Sequence, residues 1–410
     1  MGFFMQRSFL LLVAALVLSP LTYAQAPAER SAPADLQSLF EVAWERSVAL
    51  QTAEGRRQEA AASRIQADSL IAGPPVADLR HRGDRFTDGR GVRESEVALG
   101  VPIWLPGQRA ARGELADAQL AEADARARLA RLAVAGELRD RVWQLAAAAA
   151  EQEVLRRRVL NATSLRDDVA RRVSAGDLAR TDLLLADQDL LATRALLTDS
   201  QARMTELSTR LFQLTGASAL PLRYEERPAM PEAVSAHPSL EAAAGGLLRA
   251  QRQLGYLQKS RRDAPEVGVS YRRDAAGGGA PSDQTVGVFI RIPFATDARN
   301  LPRETAAQTE VMTARAERER MERVVQSEAE ASRQALTLVE QQLKLSEQRS
   351  AMLAERAVLL RKTFDAGEIG LTEVLRAQNQ ALEAEADAAR QRARRGAAIA
   401  NLKQALGVLP

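Results

Sequence analysis

The chain repeats itself at a constant internal offset. Pro102, in Gly100-Val101-Pro102-Ile103, and Pro293, in Arg291-Ile292-Pro293-Phe294, lie 191 positions apart. The same shift lays Ala175-Gly176-Asp177-Leu178 on Ala366-Gly367-Glu368-Ile369, and Thr181-Asp182-Leu183-Leu184 on Thr372-Glu373-Val374-Leu375. Leu191, Ala195, Arg203, Leu211, Gln213 and Gly216 recur as Leu382, Ala386, Arg394, Leu402, Gln404 and Gly407. An offset held without a gap over this length means one long supersecondary unit present twice, with both copies built alike. The expected boundaries are a leader over residues 1–24, a first repeat over 25–216 and a second over 217–410.

The leader reads as a secretory signal: Arg7 supplies the positive start, Phe9 to Leu18 the apolar stretch, and Thr22-Tyr23-Ala24 a small-residue cleavage site. The apolar stretch is about half of the roughly 20 residues that a spanning helix needs, and no later segment approaches that length. An exported chain meets an oxidising compartment, yet this one has no cysteine. Disulfides and a lipid-modified N-terminal cysteine are therefore excluded. Two histidines, His81 and His237, cannot form a histidine-rich metal site, and both read as incidental. The formal charge of +3 comes from Arg interspersed with Asp and Glu, which describes solvated helix faces and not a nucleic-acid stripe.

The long segments are crowded with Ala, Leu, Glu, Arg and Gln, and aromatics make up only 4%, a composition of long helices and coiled coils. No proline occurs from Gln108 to about Ser174, nor from about Arg303 to Phe364. Each stretch as one helix would be about 100 Å long. After Gly176, Leu183, Leu190, Leu197, Met204 and Leu211 follow at sevens, with Ala186, Thr193, Ser200, Leu207 and Leu214 three residues behind. Val325, Ser332, Val339, Ser346, Leu353 and Leu360 do the same before Gly367. These are seams of helices packed side by side with a left-handed supercoil. Small seam residues bury little area, so the helices are expected to find further partners in an oligomer. Trp44 and Trp143 read as packing residues.

Two segments have a different period. Glu266 to Tyr271 and Thr285 to Phe294 alternate, with Val286, Val288, Ile290, Ile292 and Phe294 on one face, and Ala275 to Pro281 between them as a glycine-rich loop. The first repeat has its partner over Val76 to Arg82 and Arg93 to Ile103, with Val97, Leu99, Val101 and Ile103 on the apolar face. Both are predicted β-hairpins, within 76–105 and 266–296. Strands near ten residues with period-two apolarity suit a membrane β-barrel.

Two copies of helix, β-hairpin, very long helix, glycine turn and returning helix resemble the TolC-like outer-membrane efflux family over nearly the whole mature chain. The run Phe364-Asp365-Ala366-Gly367-Glu368-Ile369-Gly370-Leu371-Thr372-Glu373-Val374-Leu375-Arg376-Ala377-Gln378 looks like the family's aromatic–x–x–Gly and Thr–acid–Val–Leu–x–Ala–Gln pattern, with a closing Leu406-Gly407. The segment from Ile292-Pro293-Phe294 to Arg299-Asn300 is similar to the heavy-metal and general cation efflux branch. The resemblance implies a mainly α fold with a small membrane β part. As a homotrimer it would form one 12-stranded outer-membrane β-barrel, seated in outer-membrane lipid, above a periplasmic α-helical barrel. It also implies two partners, a periplasmic adaptor (membrane fusion protein) and an inner-membrane pump of the resistance-nodulation-division type. No cofactor and no nucleic acid enter.

On this reading Asp177, Asp182, Glu368 and Glu373 ring a narrow tip, where like charges would favour an open or cation-bound state. Asp177 and Asp182 also stand where carboxylates stabilise a helix start, by about 0.3–1 kcal/mol. Glu373 matches the constricting carboxylate of the family, and Asp182 the position that accepts a locking contact from the neighbouring helix pair. The expected basic partner is Ile369 here and the aromatic is Phe364, without a hydroxyl; Arg171 and Arg172 are the available substitutes. Gly176 and Gly367 are expected at positive φ, as helix-terminating glycines, and at the adaptor contact. Trp104 sits at the hairpin base, as an interfacial aromatic or as a packing residue.

No glycine-rich phosphate loop and no Ser–His arrangement on a strand-to-helix turn is present, so the chain does not read as an enzyme. The function expected is the exit duct of a tripartite efflux system. The alternatives are the duct of a type I protein secretion system and a periplasmic coiled-coil adaptor.

Overall fold

The computed structural model describes residues 35–87, 89–228, 236–277 and 281–410. The expected leader lies outside them, as do Gly278, Gly279 and Ala280 of the glycine loop. The first repeat comprises α1 (Leu36–Arg46), α2 (Val48–Asp68), β1 (Val76–Gly83), β2 (Val92–Pro102), α3 (Gln108–Ala175) and α4 (Arg180–Thr215). The second comprises α5 (Pro238–Lys259), β3 (Glu266–Ala276), β4 (Ser282–Arg291), α6 (Asp297–Asp365) and α7 (Leu371–Ala405).

The two long helices, of 68 and 69 residues, each reach about 100 Å and carry the rest. Near the strands α3 packs against α2 and α5, and α6 against α5. Towards the glycine turns α3 packs against α4 and α7, and α6 against α7. The lower layer therefore runs α4-α3-α7-α6, with α4 and α6 at its two edges. The predicted seam explains this lower packing: Ala186, Leu190, Thr193, Leu207 and Leu211 are buried, while Leu183, Leu197 and Met204 are half-buried.

Chain ends and breaks follow local chemistry. Asp35 accepts from the Ser38 amide at 2.8 Å to start α1, and Ser47 ends α1 and caps α2, accepting from the Leu50 amide at 3.2 Å. His237 takes the equivalent place before α5, its Nδ1 accepting from the Ser239 amide at 3.1 Å, with Pro238 next. The closing glycines match too. A Cβ on Gly216 would touch the Arg46 guanidinium, and one on Gly407 would stand 2.8 Å from the His237 ring. Both glycine–partner pairs keep the 191-residue offset.

The main core lies where the short helices meet end to end beside α3. Leu36, Leu39, Phe40, Ala43 and Trp44 of α1 pack with Leu138, Val142 and Leu145 of α3 and Leu207 and Leu211 of α4. Inside this layer Arg139, only 1% exposed, donates to both carboxylate oxygens of Glu226, at 2.8 and 2.9 Å. It also donates to the Gln404 side chain at 2.8 Å and the Val408 carbonyl at 3.0 Å. One buried cation thus ties α3 to the segment joining the repeats and to the end of the second repeat. Trp143 is likewise a packing residue, edge-on to Tyr224 at 5.3 Å, with Gly396 of α7 directly beneath its ring.

Several expected boundaries are corrected. The first-repeat helix before the hairpin is two helices, because Ser47 breaks it. Helix α6 starts at Asp297 and runs through Pro302, an exposed early position where one missing amide bond is tolerated. β3 continues to Ala276, and β4 ends at Arg291, so Ile292 and Phe294 extend beyond the strand. β2 ends at Pro102, which leaves Ile103 outside as well, although its amide still donates to the Pro265 carbonyl at 2.8 Å.

Candidate functional site

The four strands form one antiparallel sheet in the order β1-β2-β3-β4, with β1 and β4 as open edges. Register fixes what each face shows. Ala77, Leu99, Val269 and Val288 stand in one row, and Leu79, Val97, Tyr271 and Val286 in the next. Val101, Val267 and Ile290 continue this face, and Val288 is 84% exposed. The opposite face carries Asp78, Arg80, Arg82, Glu94, Glu96, Glu266, Arg272, Asp274, Asp283 and Arg291. Two of its arginines are paired: Arg291 lies 2.6 Å from Glu266 and 3.8 Å from Asp78, and Arg272 lies 3.3 Å from Glu94 and 2.9 Å from Asp274. Phe289 on this face lies over Gly268, where a Cβ would come within 2.4 Å of the ring. A sheet with one dry and one ionic face, and two free edges, is complete only when further strands close it.

At the other end of the long helices the chain reverses at Gly176 and Gly367, with φ of 89° and 80°. Between them the ends of α3 and α6 are joined by charge. Arg172 donates to Asp365 at 3.2 Å and to the Phe364 carbonyl at 3.3 Å, and its guanidinium stacks 5.0 Å above the Phe364 ring. Arg361 pairs with Asp168 across the same gap and with Asp365 along its own helix at 3.1 Å. Arg171 pairs with Asp168 at 2.6 Å. Beneath this clasp Phe364, 2% exposed, packs with Leu165, Val169, Ala186, Leu371, Val374 and Leu375, and Ile369 borders the same cluster. Above it, a cavity of about 710 Å³ opens between α3, α6 and α7. There Arg158 pairs with Asp189 at 3.5 Å and with Asn379.

The structure therefore separates the predicted tip residues. Asp177, Glu368 and Glu373 are exposed at the turns; Glu373 is paired with Arg376 at 2.9 Å. The Asp182 carboxylate accepts from the Ala179 amide at 3.2 Å and so caps α4. Arg171 and Arg172, expected as substitutes for a lock on Asp182, are engaged within their own chain with Asp168, Asp365 and Phe364. Trp104 is half-buried, and its indole N–H donates to the Ser69 carbonyl at 3.0 Å, fixing the junction of α2 and β1. Sequence reasoning missed Asp168, Arg361 and Asp365. The signal was there: Asp168 and Arg172 stand four apart on α3, Arg361 and Asp365 four apart on α6, with the charges in opposite order.

No family model matches the chain, and no curated protein is similar to it in sequence. Solved structures are similar. The outer membrane protein VceC of Vibrio cholerae superimposes with a TM-score of 0.71 at 18% identity, covering 91% of this chain and 96% of that one. The Campylobacter jejuni CmeC outer membrane channel gives 0.72 at 13% identity, covering 91% and 85%. The open state of the Neisseria gonorrhoeae MtrE outer membrane channel gives 0.69 at 17%, covering 92% and 90%. At such identities the likeness is one of fold, and the fold of this chain is that of the TolC-like outer-membrane channels.

Proposed function

We propose that the chain is the outer-membrane component of a tripartite efflux assembly, a passive water-filled duct from the periplasm to the outside. One observation carries this reading: both ends of the molecule are incomplete in a way that copies of the same chain complete. The sheet offers edges β1 and β4, with an apolar face suited to lipid and an ionic face suited to a lumen. Three copies give twelve strands and no edge, as lipid requires.

The helical layer is incomplete in the same sense. Its edge helices carry second, unpartnered heptad series: Leu184, Leu191, Thr198, Thr205 and Phe212 on α4, and Leu338, Leu345, Met352 and Leu359 on α6, all exposed. Counted from the glycine turns the two series coincide. Leu184 lies eight residues beyond Gly176 and Leu359 eight before Gly367; Leu191 and Met352 are each fifteen away. With the turns level, α4 of one copy meets α6 of the next antiparallel, knob against knob. That contact runs head to tail and closes into a ring.

In this duct the ionic sheet face and the tip carboxylates Asp177, Asp182, Glu368 and Glu373 meet water. Discrimination among substrates would rest with an inner-membrane pump and its periplasmic adaptor, the latter meeting the turns at Gly176 and Gly367. The test is conductance of purified protein in planar bilayers. The duct gives discrete, cation-selective currents, and silent bilayers carrying inserted protein overturn it.

A further inference from the structure

The lipid-facing side of the sheet has a chemical boundary within it. Among its described residues there is no carboxylate, and its only basic side chains are His81, Arg93 and Arg273. All three lie at the hairpin-loop end, beyond the row Leu79, Val97, Tyr271, Val286. His81 stands in the next row with Ser95, Arg273 and Gln284, its Nδ1 3.0 Å from the Ser95 hydroxyl. Arg93 stands one row further, opposite Ala275.

Arg93 and Arg273 are thus diagonal neighbours on the two central strands, a spacing of about 7–8 Å between such positions, within which two long side chains converge. Both are exposed, and neither has a carboxylate partner among the described residues. On the other face of the sheet Arg272 of β3 and Arg291 of β4 are each paired with acids. Unpaired guanidiniums directly above an apolar row match a phosphate directly above acyl chains, because the guanidinium fork binds phosphate oxygens bidentately.

We infer that Arg93 and Arg273, flanked by His81, Ser95 and Gln284, bind the phosphate headgroup of an anionic lipid whose acyl chains lie along the Tyr271 row. The inference rests on the sheet lying in a bilayer with its hairpin loops outward, so the lipid belongs to the outer leaflet. Phosphate is the recognised group, and the apolar rows below give no chain-length specificity.

The test uses the full-length protein in phosphatidylcholine vesicles doped with bisphosphorylated lipid A or with the same lipid after dephosphorylation. Insertion is read by flotation, and lipid retained after detergent extraction by mass spectrometry. Wild type is expected to retain the phosphorylated form at least five-fold over the dephosphorylated one. The double variant Arg93→Gln/Arg273→Gln inserts but loses that preference, and Arg93→Lys/Arg273→Lys keeps part of it. Equal retention of both lipids by inserted wild type, or an undiminished preference in the Gln variant, overturns the lipid site and leaves the duct standing. Failure of wild type to float with any vesicle overturns the membrane-barrel reading and the lipid site together.

Discussion

The guanidinium of Arg172 lies 5.0 Å above the ring of Phe364 and donates to that residue's carbonyl, so the end of α3 is held to the end of α6 by a group that is both charge and lid. The contact sits above a small apolar cluster. It also joins the two structural repeats inside one chain. The ionic part is reciprocal, Asp168 with Arg361 and Arg172 with Asp365.

Reversal of one partner should open this clasp. Arg172→Asp places two carboxylates together at Asp365 and removes the cation–π contact, which is worth about 0.5–1 kcal/mol at a partly exposed site. In planar bilayers the expected result is longer and larger openings, several-fold in open probability. Arg172→Asp with Asp365→Arg should return most of the closed-state population. No rescue by the double reversal would mean that the clasp packs the tip without controlling it.

The proposed contact between copies is apolar where the clasp within a copy is ionic, and this gives a residue-level expectation. The chain has no cysteine, so Leu191→Cys/Met352→Cys introduces the only two thiols. They lie on opposite edges of one protomer and meet only across the ring. Mild oxidation should yield covalent dimers and a closed trimer on denaturing gels, unaffected by high salt during assembly. Leu191→Cys/Leu345→Cys, one heptad out of register, should give much less.

Arg139 and Glu226 are a buried pair, and such pairs are judged by what happens when one member goes. Arg139→Met strands a carboxylate that then has, among the described residues, only Lys403 as a cationic partner, at 3.2 Å. The expected loss is about 3–5 kcal/mol, read as a lowered unfolding midpoint in detergent. Arg139→Met/Glu226→Leu removes both charges and should recover a large part of it.

Gly396 illustrates packing that no propensity rule anticipates. It lies inside α7, where alanine would normally be preferred by about 1 kcal/mol. A Cβ there would fall 1.8 Å from the Trp143 ring. Gly396→Ala is therefore expected to destabilise by about 1–3 kcal/mol, and Trp143→Leu in the same chain should relieve it.

The helices, the seam of α4 and the two hairpins were legible because each rests on a period that the sequence displays directly. The 191-residue offset carries over to contacts as well, as Gly216 on Arg46 and Gly407 on His237 show. Tertiary partners were less legible. Arg172 was singled out near the tip, but its partners Phe364 and Asp365 lie across a parallel helix pair whose register only folding sets. Arg139 looked like any arginine on a charge-mixed helix. Its burial depends on the segment between the repeats crossing over α3, and that segment has no periodic signature. The strand ends at Pro102 and Arg291 were overrun because apolar alternation continues past the last paired residue of each strand into Ile103 and Phe294.

His237 gives the expected pH dependence. It is 5% exposed, and burial pushes its pKa below the ordinary 6.5, outweighing the opposing effects of a hydrogen bond to the Gln404 backbone and of Glu328. The folded chain therefore holds this ring neutral, with Nδ1 free to accept from the Ser239 amide and cap α5. A group protonated more readily when unfolded favours unfolding as protons become available. Its stabilisation is complete above about pH 6.5, the unfolded value, and is lost as pH falls from there through the lowered folded value. Protonation also removes the capping acceptor, so the loss should concentrate at the start of α5 beside Gly407. His237→Asn keeps an acceptor at the cap and removes the titration. Unfolding midpoints in detergent between pH 7.5 and pH 5 should fall for wild type and stay nearly level for His237→Asn. Parallel slopes for the two proteins would assign the acid sensitivity to other groups.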